Sequence, residues 1–67
     1  MAATRILRRD VPPRPKHSLF WSSGEDRVYD SGPFCWRYRQ NRLWRFLEYD
    51  EDGKLLRVWN ARRRKEA

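Results

Sequence analysis

The sequence predicts a small, mainly β protein: a curled antiparallel sheet, or an SH3- or OB-like barrel, of four or five short strands. All ten aromatic residues lie between Phe20 and Trp59, and aromatic residues are enriched in strands. The segment from Phe34 to Arg39 alternates strictly between aromatic residues and Cys or Arg, which is the period of a strand. Glycine and proline interrupt the chain at short intervals, as in a sheet with tight turns.

The length allows one small domain. A chain of 67 residues and 8.3 kDa is close to the size at which a single apolar core supplies only roughly 3–5 kcal/mol, so a large substrate cleft is not expected. The longest apolar runs, such as Leu19 to Trp21, have three residues, far short of the ~20 residues of a membrane span. With Cys35 as the only cysteine and no apolar leader at the N-terminus, we expect an intracellular protein, cytoplasmic or associated with a nucleoid or nucleus.

The net charge of +7 is concentrated at the two ends of the chain. Residues 1–16 carry five basic side chains and one acidic, and residues 61–67 carry four and one, whereas residues 17–60 carry seven of each. We therefore divide the chain into a basic, proline-containing arm (1–16), a β domain (17–60) and a basic C-terminal tail (61–67).

The N-terminal arm has no apolar period of its own. Its three prolines predict an extended, polyproline-like segment from Val11 to Lys16. A short helical turn over Thr4 to Arg9, capped by Thr4, is expected before it, and a solvated, disordered arm is the alternative. Burial in the arm is expected to be slight, so deletion of residues 1–15 should leave the domain folded.

The domain itself is predicted to contain up to five strands. The expected strands cover His17 to Ser22, Arg27 to Tyr29, Phe34 to Arg39, Leu43 to Asp50 and Lys54 to Asn60. Ala61 to Glu66 is a helix-forming stretch too short to be stable alone. The competing interpretation is a helical hairpin, with helices over Arg37 to Tyr49 and Lys54 to Lys65, because several leucines there fit helical spacing.

Turn lengths determine which side chains share a face of the predicted sheet. Gly53 fits the left-handed position of a three-residue loop, which places Phe46 opposite Val58. A three-residue loop after Arg39 places Trp36 opposite Phe46 and Arg37 opposite Arg45. One face then carries an almost wholly apolar set: Phe34, Trp36, Tyr38, Trp44, Phe46, Leu56 and Val58. The other face carries Cys35, Arg37, Arg39, Leu43, Arg45, Leu47, Tyr49, Leu55, Arg57 and Trp59.

The segment from Tyr49 to Trp59 combines a tyrosine, an acidic turn, a glycine and Lys-Leu-Leu. It resembles one unit of the MORN-like β-hairpin repeats. The resemblance implies a hairpin at this point of the chain. No second copy of the unit occurs in the sequence, so no family is assigned.

Arginines interleaved with aromatic residues point to nucleic-acid binding, in which guanidinium groups contact phosphate and aromatic rings stack on bases. Arginine outnumbers lysine thirteen to three, and the guanidinium fork suits phosphate better than an ammonium does. The predicted binding residues are Arg37, Arg39, Arg45, Tyr49, Arg57 and Trp59 on the sheet, with Arg8, Arg9, Arg62, Arg63 and Arg64 in the arms. RNA or single-stranded DNA is the expected partner. The alternative is a small protein-interaction module or inhibitor, such as a phage-type regulator of host machinery.

The sequence offers little material for catalysis. Cys35 would need a base such as His17 to act as a nucleophile, and a small residue on a sheet face is the simpler interpretation. The acidic residues Glu48, Asp50, Glu51 and Asp52 lack the spacing of an EF-hand loop and read as a solvated turn. No Gly-rich phosphate loop or zinc-ligand spacing occurs. We therefore expect no enzyme activity, no cofactor, no metal site and no membrane partner.

Overall fold

The computed structural model describes residues 3–61, and in them the chain forms one six-stranded sheet. The strands are β1 (Thr4–Arg5), β2 (Leu19–Ser23), β3 (Asp26–Ser31), β4 (Phe34–Arg39), β5 (Arg42–Tyr49) and β6 (Leu55–Asn60). Their spatial order is β1-β6-β5-β4-β3-β2. Strand β1 runs parallel to β6, and all other neighbours are antiparallel. The predicted mainly β class is confirmed, and the sheet does not close into a barrel.

The helical alternatives do not hold in the described residues. The segments proposed for a helical hairpin form β4, β5 and β6, because their dense aromatic and branched side chains fit a pleated surface. The helical turn expected over Thr4 to Arg9 is instead the short strand β1 followed by a 3-10 helix, Arg8–Asp10. The predicted helix over Ala61 to Glu66 lies outside the described residues except for Ala61.

The turn between β4 and β5 is one residue shorter than predicted. Gln40 and Asn41 both have positive φ, 53° and 63°, as a two-residue hairpin turn of type I′ requires. A bulge at Trp44 then restores the predicted pairing further along, so that Arg37 lies opposite Arg45. Trp36 opposite Phe46 is likewise confirmed. The extra residue of the bulge compensates for the shorter turn, so the pairs beyond the bulge are those predicted.

The pairing between β5 and β6 differs from the prediction by one residue. The loop has the expected form, with Gly53 at φ 84° and the Asp50 N–H donating to the Lys54 carbonyl at 2.8 Å. A bulge at Leu56 follows, so Phe46 pairs with Trp59 and not with Val58. Because successive side chains alternate between faces, this single inserted residue moves each later side chain of β6 to the opposite face.

The core lies between one face of the sheet and the N-terminal segment. Phe46 and Trp36 are 0% and 2% exposed, and Val11 from the N-terminal segment packs on them at 9%. Ile6 also contacts this cluster. The indole Nε1 of Trp36 donates a hydrogen bond of 3.0 Å to the Pro12 carbonyl. The expectation of slight burial in the arm was therefore wrong for its apolar residues, which cover a sheet too small to bury its aromatic face alone.

Candidate functional site

The face opposite the N-terminal segment, termed the open face, carries a row of directly paired residues across five strands. The register joins them in the order Trp21, Val28, Arg37, Arg45 and Asn60. Paired residues in neighbouring strands point to the same side of a sheet. Two arginines therefore lie side by side at the centre of this row, with an aromatic residue at one end.

Trp44 adds a second aromatic ring to the open face, flanked by two guanidinium groups. The Cζ atoms of Arg39 and Arg45 lie 4.7 and 4.8 Å from the centroid of the Trp44 ring, within the range of cation–π attraction. The bulge at Trp44 turns this side chain away from the core face, on which the sequence analysis placed it. The structure thus creates an arginine–tryptophan cluster that the predicted register did not contain.

Both flanking arginines are held in place by neighbours. The Nε of Arg45 donates a hydrogen bond of 2.9 Å to Oδ1 of Asn60. The Nε of Arg39 lies 3.5 Å from Oδ1 of Asp26, an exposed ion pair of the kind that contributes about 0–1 kcal/mol. Each contact engages Nε, one of five N–H donors of the guanidinium group. The two contacts restrain the guanidinium groups near the indole ring.

Arg37 and Arg45 form the like-charged cross-strand pair expected from the sequence. Such a pair opposes folding unless an anion lies between or above the two groups. Arg37 is exposed and lines a shallow cleft of about 140 Å³ on the open face. Trp21, Asp26, Arg39 and Trp44 line the same cleft. The cleft therefore combines guanidinium groups and two indole rings with one carboxylate, that of Asp26, which is paired with Arg39.

Three of the predicted sheet residues lie elsewhere. Tyr49 borders a cavity that is lined by Pro33 and by the acidic turn of residues 50–52. The negative charge of that turn repels phosphate. Arg57 is on the core face, where its Nε lies 3.6 Å from Oε1 of Glu48. Trp59 is half-buried against the core. The structure brings together Arg37, Arg39 and Arg45, but not these three residues.

The predicted residues of the arms are separate from the open face. The guanidinium of Arg8 lies 5.4 Å from the centroid of the Trp59 ring, on the side of the sheet that the N-terminal segment covers. Arg9 is exposed in the 3-10 helix. Arg14, not predicted as functional, stacks over Tyr29 at 4.0 Å and belongs to the same cover. Arg62, Arg63 and Arg64 lie outside the described residues.

Sequence reasoning missed Trp21, Trp44 and Asn60 as members of the site. Asn41 could have indicated the shorter turn between β4 and β5, since asparagine tolerates the positive φ that a two-residue turn requires. The bulge that follows had no comparable signal. Trp21 is 49% exposed in a predicted strand, and only the sheet order shows that this strand lies at an edge.

Cys35 lies on the open face opposite Asp30 and Leu47. Burial, followed by the neighbouring Asp30 carboxylate, raises the pKa of the thiol to about 11. The thiolate is the nucleophilic form, so at neutral pH this residue is held in its unreactive form. His17 is exposed in the segment that precedes β2.

The acidic turn is organised by backbone hydrogen bonds. Oδ1 of Asp50 accepts from the N–H groups of Asp52 at 2.8 Å and Lys54 at 2.9 Å, an arrangement typical of an aspartate that begins a turn. Within residues 3–61, no group of three or more His, Cys, Asp or Glu side chains is arranged to hold a metal ion.

Comparison with known proteins gives no relatives: no protein family, curated protein or solved structure matches the chain. In the part of the chain that the structure describes, no helix has the length and apolar character needed to cross a membrane. Any functional conclusion for this chain therefore rests on the geometry of its own residues.

Proposed function

We propose that this protein is an intracellular accessory protein that binds RNA or single-stranded DNA through the open face. The observation that carries the proposal is the cluster of Arg39 and Arg45 on the ring of Trp44, with Arg37 beside it. Arginines held by a stacked aromatic ring present their planes and N–H edges in a fixed arrangement. This is the chemistry that phosphate groups and unpaired bases recognise.

The paired guanidinium groups of Arg37 and Arg45 account for the phosphate part of the interaction. Their mutual repulsion is relieved when an anion binds to both, so phosphate is favoured at the centre of the open face. Bases then stack on the exposed indole of Trp21 or on the outer plane of an arginine, each stacked base contributing roughly 1–3 kcal/mol. A single strand fits better than a duplex because its bases are free to stack.

The basic ends of the chain add a general attraction. Arg8 and Arg9 lie away from the open face, and the tail of residues 61–67 carries a net charge of +3 from four basic and one acidic side chain. These groups neutralise backbone charge without reading sequence, as lysine- and arginine-rich arms do.

A protein-interaction module is the second candidate function. It is favoured by the exposed apolar side chains of β2, among which Phe20 is 71% and Leu19 53% exposed. Exposed apolar groups on an edge strand are typical of a surface that pairs with another chain.

A titration of labelled single-stranded RNA and DNA, followed by fluorescence anisotropy at two salt concentrations, tests the proposed function. We expect binding that weakens as salt rises, because condensed counterions are released. Arg37→Ala should lower the affinity roughly threefold to tenfold, the loss of one phosphate contact. Arg57→Ala is the matched control, since it removes the same charge from the opposite face of the sheet.

Two outcomes contradict the proposal. The first is the absence of binding to either nucleic acid at low salt. The second is an equal loss of affinity in the Arg37 and Arg57 variants, which would show that only total charge matters. Tight binding of a protein partner at the open face that ignores salt would transfer the function to the protein-interaction alternative.

A further inference from the structure

The cleft on the open face contains an acidic side chain among its cationic groups. Asp26 on β3 pairs directly with Arg39 on β4, and its Oδ1 lies 3.5 Å from Nε of Arg39. A carboxylate has two oxygens with about four acceptor sites, so this one contact leaves most of them for a ligand. Because a carboxylate repels the phosphates that the arginines attract, binding of the backbone alone gives Asp26 no role.

The floor of the cleft is Val28, which is half-buried. It lies two residues from Asp26 on the same strand and therefore on the same face. Its direct neighbours are Trp21 on β2 and Arg37 on β4, so a short side chain is surrounded by longer ones. The cleft of about 140 Å³ is smaller than the roughly 300–1,000 Å³ of sites for drug-sized ligands. A single heterocyclic base is a ligand of the appropriate size.

Asp26 and Arg37 lie diagonally across this floor. Arg37 is two residues from Arg39, the direct partner of Asp26, and Cα atoms of such diagonal neighbours are roughly 7–8 Å apart. A planar ring over Val28 would meet an acceptor-only group along one edge and a donor-only group along the next. The indole of Trp21, 49% exposed, offers a surface on which the ring can stack.

Guanine is the base whose edges match this arrangement. Its O6 and N7 are neighbouring acceptors, to which an arginine donates two hydrogen bonds. Its Watson–Crick edge carries two neighbouring donors, N1–H and the N2 amino group, which the two oxygens of a carboxylate accept together. Adenine, cytosine and uracil each place an acceptor beside the donor on that edge, and an acceptor repels a carboxylate.

From this geometry we propose that the cleft is a guanine-selective base site. Asp26 accepts from the Watson–Crick edge of an unpaired guanine, Arg37 donates to its O6 and N7, and Trp21 stacks on the ring. The selectivity rests on the proposed function, since it concerns a base of a single strand bound at the open face. Because Arg37 has five N–H donors, it can contact the base and still share a phosphate with Arg45.

Fluorescence anisotropy of the full chain with uridine oligonucleotides that carry one central guanine, adenine or cytosine tests the proposal. We expect the guanine oligonucleotide to bind roughly tenfold more tightly than the other two, the discrimination of one bidentate contact. Asp26→Asn should bring the three affinities within about twofold of one another, because an amide presents a donor beside its acceptor.

Asp30→Asn is the matched control. Asp30 lies on the same strand and the same face as Asp26, four residues further along and opposite Cys35, so its loss changes the net charge equally. This variant should bind all three oligonucleotides somewhat more tightly and keep the preference for guanine.

Inosine in place of guanine removes the N2 amino group without any change to the protein. The wild-type chain should bind the inosine oligonucleotide roughly fivefold more weakly than the guanine oligonucleotide, because one hydrogen bond to a charged group is lost. The Asp26→Asn variant should bind the two equally.

Equal affinity for the guanine, adenine and cytosine oligonucleotides, with binding that still weakens as salt rises, overturns the guanine site and leaves the proposed function intact. A guanine preference that Asp26→Asn does not reduce, or equal binding of guanine and inosine by the wild type, overturns the role of Asp26. Absence of binding to every oligonucleotide at low salt overturns the proposed function and the guanine site with it.

Discussion

Trp36 and Trp44 are tryptophans in adjacent strands, yet their surroundings are opposite. Trp36 is 2% exposed, packs on Phe46 with ring centroids 5.7 Å apart and donates to the Pro12 carbonyl. Trp44 lies on the open face, with two guanidinium groups within 5 Å of its ring centroid. The difference arises from the bulge at residue 44, which changes the face on which that side chain lies.

We expect these two residues to separate stability from binding. Trp36→Ala should cost roughly 3–5 kcal/mol of unfolding free energy, which in a domain this small is close to the entire stability. Trp44→Ala should lower nucleic-acid affinity and cost less stability than Trp36→Ala. Urea unfolding and anisotropy titrations measure the two effects. If Trp44→Ala unfolds the protein as readily as Trp36→Ala does, the cluster on the open face is a second core and not a site.

Cys35 gives a pH dependence that can be measured. Its pKa of about 11 in the folded protein lies above the value of 9.0 for an unperturbed thiol. The folded state therefore keeps the proton between these two values while the unfolded state loses it. The stabilising contribution is fully present below pH 9 and is lost as pH rises toward 11.

Thiol alkylation as a function of pH checks this expectation. The rate should rise with an apparent pKa near 11, and stability should fall more steeply above pH 9 than in Cys35→Ser. A thiol that titrates near its unperturbed value of 9.0 would contradict the burial described for β4. The serine variant isolates the effect from tyrosines and lysines, which titrate in the same range.

The N-terminal segment is the element for which the structure differs most from the sequence-based prediction. It contributes β1 to one edge of the sheet and places Val11, Ile6 and the Pro12 carbonyl on the aromatic face. Arg14 stacks over Tyr29 and extends the cover. Deletion of residues 1–15 should therefore unfold the domain, contrary to the expectation from charge and proline content.

Two single substitutions within this segment test its role in the core without deleting it. Val11→Ala should cost roughly 1–3 kcal/mol, the loss of two buried methyl groups and the resulting cavity. Leu7→Ala, at a position 56% exposed in the same segment, should change stability by no more than about 0.5 kcal/mol. Thermal unfolding of both variants measures the two changes in stability. Equal, small effects would show that the segment does not cover the core in solution.

At the scale of the whole molecule, the acidic turn and the arginine–tryptophan cluster lie at separate places on the sheet. The described part of the chain places its acidic turn at residues 50–52 beside Tyr49, whereas Arg37, Arg39 and Trp44 share the cleft on the open face. The tail of residues 61–67 continues from the end of β6 with a net charge of +3. We expect the tail to attract a polyanion over a long range, and the open face to make the specific contacts with it.

Deletion of residues 62–67 should separate these two contributions. Folding should be preserved, since the described core involves none of the deleted residues. The slope of log K against log salt should flatten by about 0.7–0.9 for each phosphate that the tail neutralises. Anisotropy titrations across a salt series measure the slope. An unchanged slope would show that the tail takes no part in binding.

The sequence by itself determined the β class, the positions of most strands and turns, and the central pairs of Trp36 with Phe46 and Arg37 with Arg45. These follow from local properties: the alternation of side chains, β propensity and the turn chemistry of glycine and asparagine. A short period of two residues is visible in a single strand without knowledge of its neighbours.

Only the tertiary structure decided which face Trp44 and Trp59 occupy, and that the N-terminal segment covers the core. Bulges at residues 44 and 56 arise from the fit between neighbouring strands, and one inserted residue reverses every later assignment to a face. The prolines of residues 12–15 predict an extended backbone but not what it lies against. The N-terminal segment is buried because it covers the aromatic face that the rest of the chain leaves exposed. That face exists only once the sheet has formed.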